Sequence, residues 1–237
     1  MTTAEPLILA LEATNPNVPT PGVLLASGGR VLARRELVQQ GRHDDMLLPA
    51  ISELFAEAGR SPGDLDEVLV SIGPGGFTAT RLAVVAAAML AEVSRALLLA
   101  VPTVRVAIET TLQDLNNKRP VVVAMATKGD SAYVARFDPS RGTFVDRGAS
   151  IGPEAFSSLL LPGDVLVFEG HMPEKMHKIA KQREIECIPM RLSAEGLLAS
   201  RSAAEAVPIE ALRPIYPREP DAVTQWRRRY GRAPGDA

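Results

Sequence analysis

Three short segments hold the residue types that phosphate chemistry requires. Gly73-Pro74-Gly75-Gly76 lies between an apolar run, Val68 to Ile72, and a helical pattern that begins near Thr78. A glycine-rich turn that feeds a helix N-terminus can cradle an anion with backbone N–H groups and the positive end of the helix dipole. This turn lacks the lysine and hydroxyl of a Walker loop, it is not a G-x-G-x-x-G, and Pro74 removes one donor. Its competing role is a tight turn that lets a helix pack closely on a sheet. The second segment, Leu11-Glu12-Ala13-Thr14-Asn15-Pro16, follows an apolar strand with a carboxylate and a hydroxyl, a pair able to hold a metal-bound phosphate. The third, Ala124-Met125-Ala126-Thr127-Lys128-Gly129, offers no carboxylate before Asp130. Glu12, Thr14, Gly73, Gly75 and Gly76 are therefore the candidate phosphate-binding residues, of a degenerate kind.

Other chemistry finds less support. His171 and His177 are six residues apart and do not share a helix face as paired metal ligands do, and His43 stands alone. No G-x-S-x-G elbow is present. The single cysteine, Cys187, sits in Ile185-Glu186-Cys187-Ile188, which reads as a buried strand with the thiol as a small core filler. A net charge of -2 and 4% aromatic residues argue against a general polyanion or base-stacking surface. Trp226-Arg227-Arg228-Arg229-Tyr230-Gly231-Arg232 is the basic exception, fit for a phosphate backbone or an acidic partner. Residues 1–6 carry no basic n-region, and the apolar stretch from Leu82 to Ala91 is short of the roughly 20 residues a bilayer span needs. The expectation is a cytoplasmic protein that does not engage a membrane.

The elements that must position these segments follow one order twice. Leu7–Leu11, 22–27 and 31–38 read as strands, the last two joined by Gly28-Gly29, which suits a hairpin turn. A helix over 44–58, capped by Asp44 or Asp45, a strand over 67–72, a helix over 78–95, a strand over 98–101 and a helix from 103 to about 115 complete the first half. Strands at 121–126, 131–137 and 143–150, a helix at 153–160, a strand at 164–168, a helix at 173–182, a strand at 185–188 and a helix at 193–204 repeat that order. The reading is an α/β protein with a duplicated actin-like fold, of the ribonuclease H-like kind. Its lobes span 1–116 and 117–218, and a basic flexible tail spans 219–237.

The two long helices of the first half raise a separate question. On 44–58, Leu47, Leu48, Ile51, Leu54 and Phe55 form one apolar stripe. On 78–95 the apolar residues run nearly all the way round. Leu82, Val85, Ala86, Met89 and Val93 mark one face, and Ala79, Ala83, Ala87 and Leu90 mark another. One face must meet the protein's own sheet. The other is covered either by the second lobe or by the equivalent helices of another subunit, in a four-helix interface.

Several segments resemble the TsaB (YeaZ) family, a glycoprotease-like branch of the actin and Hsp70 superfamily. Ile8-Leu9-Ala10-Leu11-Glu12-Ala13-Thr14 resembles its opening strand and D-T-S turn. Gly41-Arg42-His43-Asp44-Asp45-Met46-Leu47-Leu48-Pro49 resembles its R-x-H-S-x-x-L-L-P helix start, and Ser71 to Arg81 its G-P-G-S-F-T-G-x-R segment. Arg213-Pro214-Ile215-Tyr216-Pro217-Arg218 is similar to its closing x-P-x-Y-L-R. The resemblance implies a non-catalytic subunit of the machinery that places a threonylcarbamoyl group on the tRNA adenosine beside the anticodon. It implies a heterodimer with a TsaD-type catalytic paralogue through the first-lobe helices, with a TsaE-type ATPase joining it. Contact with tRNA through that complex, and self-association of the isolated chain into a homodimer through the same helices, are separate alternatives. Glu12-Ala13 in place of Asp-Thr, Gly76 and Ala79 in place of Ser and Gly, and Met125-Ala126-Thr127 in place of D-A-R count against ATP and Mg²⁺ binding, so no cofactor is expected. The rival reading is an enzyme, a weak ATPase or a glycoprotease-like peptidase.

Overall fold

The computed structural model describes residues 5–15, 18, 21–37, 46–113, 118–217 and 221–231. Its organising strand is β1 (Leu7–Glu12), buried at every position. Alternation sends Leu7, Leu9 and Leu11 into one core and Ile8 and Ala10 into another. β1 pairs antiparallel with β2 (Gly22–Ser27), which turns through Gly28 and Gly29, φ 59° and 74°, into β3 (Arg30–Glu36). A two-residue hairpin with both φ values positive is the turn that a Gly-Gly pair permits. On its other side β1 pairs parallel with β4 (Glu67–Ser71), and β4 with β5 (Leu97–Val101).

The second sheet repeats this order. β6 (Val121–Ala126) takes the central place, antiparallel to β7 (Ala132–Asp138) and parallel to β10 (Val165–Phe168), with β11 (Glu186–Pro189) beyond. The third strand of this lobe is in two pieces, β8 (Thr143–Phe144) and β9 (Ala149–Ile151), both paired with β7. The expected continuous strand over 143–150 is broken because Gly148 is left-handed, φ 74°, in a turn closed by the Asp146 carboxylate on its N–H at 2.8 Å. Orders β3-β2-β1-β4-β5 and β8-β7-β6-β10-β11 make the protein a duplicated actin-like α/β fold.

Helices fill three layers around the two sheets. α1 (Leu47–Ala58) and α2 (Phe77–Ser94) cover the outer face of the first sheet, while α4 (Pro153–Leu159) and α5 (Glu174–Gln182) cover that of the second. α3 (Thr103–Thr111) and α6 (Ala194–Ala199) lie between the sheets in a shared core. Gly196 lets these two helices cross closely, since a Cβ there would meet the Thr110 hydroxyl. α6 is shorter than the expected helix over 193–204, and a 3-10 turn, Ser200–Ala203, follows it.

The chain then returns to the first lobe. β12 (Glu205–Ala206) pairs with β5, and Arg201 holds the Glu67 carboxylate at 2.6 and 2.5 Å. Residues assigned by sequence to the second lobe thus complete the first sheet. Asp44 and Asp45 lie outside the described residues, and α1 begins at Leu47. The segment around Trp226, expected to be a flexible tail, forms α7 (Asp221–Tyr230). Cys187 is exposed, not a core filler, because β11 is the sheet edge.

Candidate functional site

The Gly73–Gly76 turn is filled by the protein's own backbone. A Cβ on Gly75 would lie 2.3 Å from the Thr14 carbonyl oxygen, and Gly76 N–H donates to that oxygen at 2.7 Å. Gly73, φ 98°, passes close to the Ile215 carbonyl and accepts a hydrogen bond from Thr103 N–H at 2.8 Å. The Gly76 donor and the space beside Gly75 are taken by Thr14, so these glycines serve close packing.

Glu12 and Thr14 join a buried polar knot. Glu12 Oε1 accepts from Thr14 N–H at 3.0 Å and from Thr14 Oγ1 at 2.7 Å. Thr14 Oγ1 lies 3.1 Å from Thr103 Oγ1, which lies 2.8 Å from Ser71 Oγ. All four side chains are buried, and Glu12 Oε2 has no hydrogen-bonding partner among the described residues. Burial pushes the Glu12 carboxyl above its ordinary value of 4.5, against the Thr14 hydrogen bonds that favour the anion. Thr103 and Ser71 were not predicted as members; only their places at the ends of β4 and β5 could have suggested it.

In the second lobe the equivalent turn does acquire a carboxylate, from a residue distant in sequence. Glu169, just beyond β10, accepts from Ala126 N–H at 2.9 Å and lies 3.6 Å from His171 Nδ1. His177 instead packs edge-on to Phe168, ring centroids 4.7 Å apart. A cleft of about 340 Å³ lies between the lobes, lined in part by Arg34, Thr110, Arg191 and Glu195. Arg34 is already paired with Glu195 at 3.1 Å, and Arg191 with the Thr110 carbonyl at 3.3 Å.

The proposed interface residues divide sharply. Leu47, Ile51, Leu54, Phe55, Ala83 and Ala86 are buried in the protein's own first-lobe core, so they are corrected from docking residues to core. Leu82 packs partly against the same core, and Ala79 is half-buried. Leu48, Val85 and Met89 stand in solvent, 65%, 54% and 64% exposed. The small-residue face of α2, Ala83, Ala87 and Ala91, lies on the sheet, where short side chains bring helix and strands together. That leaves Val85, Met89 and Val93 as an outward ridge at i, i+4 and i+8.

The foot of this ridge is built by two segments far apart in sequence. Arg81 lies over the Phe77 ring at 4.1 Å, and its Nε–H donates to Tyr216 Oη at 2.8 Å. Ile215 N–H donates to the Ile72 carbonyl at 2.7 Å, and Leu212 is buried in the same core. By length and composition α2 passes for a membrane span, although a third of it is buried in the fold.

The family described as TsaD, tRNA N6-adenosine threonylcarbamoyltransferase, matches residues 30–200 of the 237. The chain belongs to the TsaD family. An uncharacterized protein of Mycobacterium tuberculosis is 29% identical over 217 residues, 91% of this chain and 93% of the relative. Two Pseudomonas aeruginosa structures share the fold. One, described as similar to peptidase YeaZ, has a TM-score of 0.69 at 22% identity, covering 90% of this chain and 99% of its own. YeaZ itself has a TM-score of 0.67 at 21% identity, covering 89% and 99%. At such identity the likeness establishes architecture and leaves function to be argued from the site.

Proposed function

We propose that this protein is a TsaB-type, non-catalytic subunit that docks on a TsaD-type catalytic paralogue in the threonylcarbamoyl modification of tRNA adenosine. The observation that carries the reading is the exposed ridge Val85, Met89 and Val93 on a helix whose opposite face is fully engaged. Three large apolar side chains in line on one ridge are a cost in water that a partner helix removes. Leu48 on α1 adds a fourth exposed apolar side chain in the same outer layer. A paralogue with the same duplicated fold carries equivalent helices, which suits a pseudo-symmetric four-helix contact. A TsaE-type ATPase would join the assembly, in the cytoplasm where tRNA is modified.

The closed Gly73–Gly76 turn favours this role over the rival ATPase, since a phosphate would have to displace the Thr14 carbonyl. The test is co-purification with the catalytic paralogue. Val85→Asp and Met89→Asp should abolish the complex while leaving the melting temperature of the isolated chain unchanged. Leu82→Asp is a poor probe, because Leu82 packs against the core. Retention of the complex by both exposed-site variants would refute the proposal. Sedimentation of the isolated chain shows whether the ridge also supports a homodimer, which the same two substitutions should dissociate.

A further inference from the structure

α7 contributes no residue to the docking ridge, yet it sets two exposed aromatic rings beside a run of arginines. Trp226 and Tyr230, at i and i+4, share one face with ring centroids 4.4 Å apart and planes inclined by 42°. Neither is sealed in a core: Trp226 is 45% and Tyr230 62% exposed. The Arg227 and Arg229 side chains are exposed beside them, and Arg228 completes a run of three arginines on a chain of net charge -2. A merely solvated basic run does not need two large aromatic rings held side by side in water.

We infer that α7 is an RNA-contact element, with unpaired bases stacking on the Trp226–Tyr230 pair and phosphates meeting Arg227 and Arg229. Aromatic rings accept any base through its π-face, and neighbouring guanidinium groups release counterions from the backbone. The choice of RNA over DNA rests on the tRNA-modification reading; the ring-and-guanidinium chemistry does not. An acidic protein surface would use the arginines and leave the rings idle. A membrane-lying helix needs a broad apolar face, and here the sequence joins the rings on that side only with the small Ala222 and with Val223.

Trp226 is the single tryptophan, so its fluorescence reads the contact directly. Full-length protein, without the catalytic paralogue, is titrated with unmodified tRNA. Trp226 emission should be quenched on binding, and Trp226→Ala, followed by filter retention, should weaken affinity by about 5- to 160-fold. Arg227→Gln with Arg229→Gln should lower the slope of log K against log salt by roughly 1.4, about 0.7 for each phosphate contact in single-stranded nucleic acid. Circular dichroism confirms that the variants keep their fold. Three results would overturn the inference: tRNA affinity unmoved by all these changes, equal quenching by polyglutamate, or a blue shift on phosphatidylglycerol vesicles with no response to tRNA. Val85→Asp should leave the tRNA quench intact, so loss of docking and loss of RNA contact are told apart.

Discussion

Replacing Gly75 by alanine places a methyl group 2.3 Å from the Thr14 carbonyl oxygen and 2.9 Å from its carbon. Both are main-chain atoms, so no side-chain rotation relieves the overlap. The displaced segment also carries the two hydrogen bonds to Glu12 and the one from Gly76 N–H. Overpacking of this kind costs about 1–3 kcal/mol, and weakening one buried hydrogen bond adds about 1 kcal/mol. A loss of about 2–4 kcal/mol lowers Tm by roughly 4–16 °C for a chain of this size. Thermal and urea unfolding followed by far-ultraviolet circular dichroism measures it, because the single tryptophan reports on α7 and not on the turn. Gly170→Ala is the control: its Cβ would meet nothing within 4 Å, and it should change stability by no more than about 0.5 kcal/mol. If Gly75→Ala proves as stable as Gly170→Ala, the turn stands clear of Thr14, and the argument against a phosphate cradle fails.

Glu12 gives a pH signature. With its folded pKa raised, the folded state holds the proton more tightly, so its contribution is complete below 4.5 and is lost as pH rises through the folded value. Glu12→Gln should therefore gain stability relative to wild type as pH rises above 4.5 in urea unfolding; parallel pH profiles would refute the buried-acid assignment. Asp164, 1% exposed at its side chain, binds Arg136 through both oxygens at 2.7 and 2.6 Å and caps Leu161 N–H. Asp164→Ala leaves that guanidinium without its carboxylate and should cost about 3–5 kcal/mol, measured by urea unfolding. On α1, Leu54→Ala should cost about 2–5 kcal/mol, whereas Leu48→Ala should stay within about 0.5 kcal/mol, and equal losses would contradict the core-and-surface division of that helix.

Periodicity in the sequence determined the duplicated fold, because each strand and helix writes its burial pattern locally. The alternation of Leu7, Leu9 and Leu11 against Ile8 and Ala10 is one such record, and the paired glycines at the β2–β3 hairpin are another. The turn at Gly73–Gly76 and the residues Glu12 and Thr14 were also visible there, as types. What the turn holds was not: Thr14, Gly75, Thr103 and Ser71 meet only because β1, β4 and β5 lie side by side, and an occupied donor looks the same in sequence as a vacant one. Glu169 reaches the β6 turn for the same reason, over 43 residues of chain. The faces of α2 were legible, but which one turns outward was decided by packing. Ala83, Ala87 and Ala91 go to the sheet because a close helix–sheet contact excludes bulk, and that choice alone leaves Val85, Met89 and Val93 in water.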